Sequence, residues 1–156
     1  QILRHLIEDS DAIIDLHSAA KGRENMPQIR ADLAHEGSNL LAKSFGIEII
    51  LDSKPPKGSL RKLANSMDIP SITYEAGGAD LLDHESVKVA IHGVLNSLRI
   101  MKMIPGKPNR PKFRVLASGS SWIRAGEGGL LDMFVRDTSD DVDDSLRVVF
   151  GDPSIT

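Results

Sequence analysis

The spacing of apolar residues predicts a chain that alternates between strands and helices. Ala12-Ile13-Ile14-Asp15-Leu16-His17 is a short apolar run bounded by polar residues, the pattern of a buried strand. Ahead of it, Ile2, Leu3, Leu6 and Ile7 fall at helical spacing with no initiator methionine or N-cap in front. The sequence is therefore expected to be a fragment whose missing part precedes Gln1. Residues 21–30 are polar and irregular, and are expected to form a site-lining loop after the first strand. A helix over 38–45 should stop at Gly46. A strand should follow over 47–51, then a Pro- and Gly-containing loop over 52–58 and a short helix from an N-cap at Ser59 to Met67. The third strand spans 70–75 and is expected to break at Ala76-Gly77-Gly78. Strands separated by helices imply an α/β fold with a mostly parallel sheet and right-handed crossovers.

The longest periodic segment comes next. Asp83 is a candidate N-cap with Ser86 at the box position, and Val87, Ile91, Val94, Leu98 and Met101 recur along one helical face that should pack on the sheet. His92 lies beside that face, and His84 and His35 are expected to be solvated. Residues 105–112 read as a linker, with prolines at 105, 108 and 111. Beyond it the pattern turns to short β segments, with strand candidates at 113–117, 122–124, 130–135 and 146–150. The expected organisation is thus an α/β part over 1–104, the linker, and the start of a small β-rich domain over 113–156. That tail is too short to close a sandwich or barrel. The run Asp140-Asp141-Val142-Asp143-Asp144 is expected to be a solvated turn, since it lacks the glycine and distal glutamate of a calcium loop.

Composition narrows the function classes. A formal net charge of -3 and 4% aromatic residues give neither a basic footprint nor stacking platforms, so nucleic acid is not an expected partner. No apolar run reaches the length of a membrane span, and a cytoplasmic protein is the default expectation. The sequence has no cysteine, so a metal bound by these residues must use His, Asp or Glu.

The residue types that carry chemistry sit at strand ends. Side chains two apart on a strand share a face, so Asp15 and His17 point the same way, with the acid behind the histidine. That is the arrangement of a metal-binding or catalytic histidine with an orienting carboxylate, although Asp-x-His alone is more often a capped strand end. Glu75 ends another predicted strand, and on pattern alone it reads as an acid capping the following turn.

Asp15-Leu16-His17-Ser18-Ala19 is followed by residues 22–33, Gly-Arg-Glu-Asn-Met-Pro-Gln-Ile-Arg-Ala-Asp-Leu; then come Gly58-Ser59-Leu60-Arg61 and Ile69-Pro70-Ser71-Ile72-Thr73-Tyr74-Glu75-Ala76-Gly77-Gly78. In this order, over nearly all of residues 10–108, these segments resemble the succinylglutamate desuccinylase/aspartoacylase family of the zinc carboxypeptidase superfamily. Ser121-Trp122-Ile123-Arg124-Ala125 and Gly128-Gly129-Leu130-Leu131 are similar to the start of the β-rich domain that follows in many members, but Asp144-Ser145 stands where the family tends to have glycine.

The resemblance implies a carboxypeptidase-like sheet and a zinc-dependent hydrolase that cleaves an N-acyl amino acid or related amide by activating a water. His17 matches the family's later zinc-binding histidine and Glu75 its catalytic glutamate, with Asp15 behind His17. Arg23, Asn25 and Arg30 are weaker candidates for lining the substrate loop. The family's His-x-x-Glu zinc pair is expected upstream of Gln1, so the fragment is expected to be inactive alone. His5-Leu6-Ile7-Glu8 spells that motif, but its place among core-facing leucines points to a structural helix face. The expected ligands are Zn2+ and a small N-acyl amino acid, and an uncovered sheet edge allows self-association into a homo-oligomer. The alternative is a non-catalytic α/β module for binding or assembly, derived from that family.

Overall fold

The computed structural model describes residue 5, residues 7–79 and 82–120, and the backbone of 130–133 and 148–151. Five strands build one sheet: β1 (Ile13–His17), β2 (Glu24–Ala31), β3 (Ile49–Asp52), β4 (Ser71–Gly78) and β5 (Val115–Ala117), in the order β1-β4-β2-β3-β5. The pairs β1/β4, β2/β3 and β3/β5 are parallel, whereas β2/β4 is antiparallel. The sheet is therefore mostly parallel but mixed, with two blocks of opposite direction meeting between β4 and β2. The mostly parallel sheet is as expected, but residues 24–31, which read as a loop in the sequence, form a central strand and supply the antiparallel pair. The strand expected at 113–117 is present as β5 and pairs with β3. Residues 121–156 make a second unit, in which β6 (Leu130–Met133) and β7 (Val148–Gly151) pair antiparallel. The strand expected at 122–124, the aspartate run 140–144 and most of the first helical segment lie outside the described residues.

Among the described residues, the helices α1 (Glu36–Phe45), α2 (Leu60–Asn65) and α3 (His84–Ile100) flank the sheet. Their ends follow local chemistry. Gly46 closes α1 in the left-handed region at φ 94°, Ser59 accepts from the Lys62 amide at the start of α2, and Asp83 accepts from the Glu85 amide at the start of α3. His35, expected to be solvated, is instead the N-cap of α1. Its Nδ1 accepts from the Ser38 amide while Nε2 bonds Asp68 at 3.1 Å. Ser38 is buried beneath it, and its Oγ accepts the Ser71 amide at 2.9 Å, which pins the beginning of β4 to the beginning of α1.

The main core joins Ile29 and Ala31 of β2, Ile50 of β3, and Ile72, Tyr74 and Ala76 of β4 to Leu41, Ala42 and Phe45 of α1, with Val89, Ala90 and Val94 of α3 packed on it. A smaller cluster of Ile7, Ala64 and Ile69, with Ile13, Leu60 and Leu63 around it, forms where α2 packs. The face of α3 nearest the core differs from the expected one. Val87 and Ile91 are exposed, and Gly93, Asn96 and Ser97 are buried. Small and hydrogen-bonded residues win that face because they permit close approach. A Cβ on Gly93 would lie 2.0 Å from the Phe45 ring, and Asn96 Nδ2 donates to the carbonyl of Phe45 at 3.0 Å. The side chain of Asn96 also accepts the Asn109 amide at 3.0 Å, fastening the proline-rich segment to the end of α1.

Phe45 stacks on Tyr74 with ring centroids 5.4 Å apart, and the Tyr74 hydroxyl donates to the carbonyl of Ser86 at 2.9 Å. Burial, reinforced by the nearby Asp83 carboxylate, pushes the Tyr74 hydroxyl up to about 12 from an ordinary 10.0. The raised value means that the fold favours the neutral phenol. That stability is fully present below about pH 10 and is lost as pH rises through about 12. Because this is the only tyrosine, absorbance titration of the phenol should give a midpoint near 12 in the native protein and near 10 after denaturation. Gly93→Ala should destabilise the fold by about 1–3 kcal/mol, since overpacking against a fixed ring outweighs a helix-propensity gain of about 1 kcal/mol. Urea unfolding should show the loss as a lower midpoint at unchanged slope.

Candidate active site

The register of β1 with β4 sets Asp15 beside Thr73 and His17 beside Glu75. Alternation along each strand then divides the sheet into two chemically different faces. Ile14 of β1 and Ile72, Tyr74 and Ala76 of β4 turn to the main core. Asp15, His17, Ser71, Thr73 and Glu75 occupy the opposite face. In β2, Ile29 pairs with Tyr74 on the core side, and Gln28 and Arg30 pair with Glu75 and Thr73 on the polar side. Because β2 runs against β4, the carboxyl ends of β1 and β4 meet the beginning of β2. The polar row is concentrated there.

Within that row the side chains are already engaged with one another. His17 Nε2 lies 3.0 Å from Asp15 Oδ2, so the carboxylate takes the Nε2 proton as its partner and leaves the lone pair on Nδ1. The His17 side chain is 49% exposed, which leaves the ring open to a ligand. Glu75 is more enclosed, at 17% exposure, and both its oxygens have neighbours. Asn25 Nδ2 donates to Oε2 at 2.8 Å, and Arg30 Nε approaches Oε1 at 3.7 Å. Arg30 Nε is itself buried without a hydrogen-bond partner.

Arg61 is a site neighbour for which sequence reasoning assigned no role. It is only 6% exposed, and donates through Nη1 to the carbonyl of Ser53 at 3.0 Å and through Nη2 to the Ser53 hydroxyl at 3.3 Å. Burial lowers its pKa most, the like charge of Arg30 next, and the carboxylates of Asp32, Asp15 and Glu75 pull in the other direction. This places a second guanidinium within electrostatic reach of the polar row. Nothing in its sequence context separates a buried arginine on a six-residue helix from a solvated one. A cleft of about 370 Å³ runs along the other flank of α2, lined by Gly58, Ser59, Leu60, Lys62, Leu63 and Ser66, and contains none of the polar-row residues.

The remaining sequence candidates fall as follows. Asn25 and Arg30 both lie on β2 and converge on Glu75, and Arg23 precedes β2, its carbonyl 3.0 Å from where a Cβ on Gly78 would lie. His84 and His92 are exposed on α3. His5 Nδ1 lies 3.4 Å from Glu8 Oε2, an i, i+3 pair with the histidine side chain 80% exposed. Among the described residues, no three His, Cys, Asp or Glu side chains gather as a metal-binding set. The chemistry of the donors still suits zinc in part: a histidine with a carboxylate on one nitrogen and an open second nitrogen is how proteins present a single imidazole ligand. No described helix is long and apolar enough to cross a membrane.

No curated protein matches the chain. Among solved structures, the ectoine utilization protein EutE (DoeB) from Ruegeria pomeroyi superposes with a TM-score of 0.72 at 19% identity, covering 86% of this chain and 46% of that one. A succinylglutamate desuccinylase/aspartoacylase from Rhodobacter sphaeroides gives 0.67 at 20% identity, covering 94% and 53%. A succinylglutamate desuccinylase from Silicibacter sp. TM1040 gives 0.70 at 20% identity, covering 86% and 44%. The chain thus spans about half the length of the solved structures it matches, and shares their fold. The model of the succinylglutamate desuccinylase/aspartoacylase catalytic domain matches residues 1–101, and the chain belongs to that family.

Proposed function

We propose that this chain carries part of the reactive centre of a zinc-dependent hydrolase that cleaves an N-acyl amino acid or a related amide. The observation that carries the reading is the pairing of His17, the last residue of β1, with Glu75 of the adjacent parallel strand β4, on the face that also holds Asp15. His17 would hold the metal through Nδ1, and Asp15 fixes the ring by bonding Nε2. The other protein ligands come from outside the described residues. Zinc, when bound, supplies Lewis-acid chemistry and makes a water acidic near neutral pH.

Glu75 would take a proton from the attacking water as the water adds to the acyl carbon, and would hand it to the amine nitrogen as the C–N bond breaks, the two-way role a carboxylate at a reacting centre can perform. Its main chain is held in mid-sheet by β1 on one side and β2 on the other, so the carboxylate meets the reacting atoms from a fixed base. Arg30 and Arg61 set two guanidinium groups beside the carboxylates of Asp15 and Glu75, donors of the kind that recognise a substrate carboxylate.

In the full-length protein, His17→Ala should remove bound zinc, measured by elemental analysis after dialysis. Glu75→Gln should keep the metal and lower turnover of an N-acyl amino acid panel by about 10²–10⁴-fold. Retention of full turnover by zinc-loaded Glu75→Gln protein would exclude Glu75 as the base.

A further inference from the structure

We propose that Asn25 is a positioning residue for Glu75, placed there by a one-residue bulge in β2; the inference rests on Glu75 being the general base. From Ala31↔Ile72 to Gln28↔Glu75 the β2/β4 pairing is regular, but the register shifts between Gln28 and Asn25, which pairs with Gly77. Met26 and Pro27 therefore stand opposite the single residue Ala76. Continued without the shift, the regular register would set Asn25 opposite Gly78, on the core side of the sheet with Tyr74 and Ala76. One inserted residue reverses which face a side chain occupies. The bulge thus moves Asn25 onto the face of Glu75, where its Nδ2 donates to Oε2 at 2.8 Å. Re-aiming a side chain is a recurrent use of bulges beside reactive centres.

Proline is accommodated at this point for the same reason. Pro27 has no amide hydrogen to give, the ladder to β4 is interrupted there, and the pairing of β2 with β3 begins only at Ile29. The bond from Asn25 fixes which oxygen of Glu75 stays free to exchange a proton. Oε2 is occupied by the amide, and Oε1 faces Arg30 Nε at 3.7 Å, beyond hydrogen-bond distance. Asn25 acts through Glu75, holding its carboxyl plane, without touching the reacting atoms.

The test is a double-mutant cycle in the zinc-loaded full-length protein. Asn25→Ala should lower kcat about 10–100-fold with KM little changed, and Asn25→Asp, equal in shape but without the donor, should do the same. In the Glu75→Gln background, Asn25→Ala should lower kcat no further, because its effect passes through the carboxylate. An Asn25→Ala enzyme with wild-type kcat, or one whose loss simply adds to that of Glu75→Gln, overturns the proposal while leaving Glu75 as base. Full turnover by Glu75→Gln alone overturns the reading beneath it. A measurement independent of turnover accompanies the cycle: the side-chain amide resonances of Asn25 should shift on Glu75→Gln and stay in place on Glu8→Gln. Unmoved resonances in Glu75→Gln count against the contact whatever the activity.

Discussion

The parallel pairing of β1 with β4 is the constraint on which the candidate centre depends. The two strands contribute one candidate side chain each, and neither strand alone brings His17 beside Glu75. Register is held at both ends, by the Ile13 amide donating to the Pro70 carbonyl at 2.9 Å and the Ala19 amide donating to the Gly77 carbonyl at 3.1 Å. It is also held by chemistry, because both sides of β1 are committed. Ile14 packs with the main core, and Ile13 with the cluster beneath α2. A slip by one residue would bury Asp15 and His17 against apolar side chains and expose Ile14, and burying an unpaired charge costs far more than any strand end gains.

What could be read from the sequence follows from how local the cause is. Gly46, Ser59 and Asp83 end or begin helices through contacts within four residues of themselves, and all three act as their sequence context predicts. The strands at 13–17 and 49–52 show as apolar runs, and so does β4 as far as Glu75; Ala76-Gly77-Gly78, expected to break it, instead continue it by pairing with β2. β2 does not, because Glu24-Asn25-Met26-Pro27-Gln28 has no clean alternation and contains a proline; it becomes a strand only because β4 and β3 offer partners on either side. The face of α3 departs from its apolar pattern in part, for a related reason: Val94 packs on the core as expected, while Val87 and Ile91 are exposed. Apolar periodicity picks out Val87 and Ile91, but the distance of closest approach is set by Gly93 against Phe45, and no hydrophobicity scale contains that distance.

The site divides in the same way. Asp15, His17 and Glu75 are legible as polar residues at the ends of apolar runs, and family resemblance gave them roles. Their neighbours are tertiary. Asn25 reaches Glu75 across fifty positions of sequence by way of a bulge, and Arg61 joins the electrostatics from the helix that precedes β4. Neither fact has a signature within a short window, since each depends on the register between strands distant in sequence.

The segregation of the sheet into an apolar and a polar face has a consequence for how such a protein can change over time. Core residues of the fold, Ile72 and Tyr74 of β4 among them, point away from Asp15, His17 and Glu75. Substitutions at the exposed end of the polar row, as at His17, therefore draw less on the stability reserve than those at its buried members Ser71 and Thr73. A lineage built on this sheet can try new substrates one polar side chain at a time, without first having to evolve a new core.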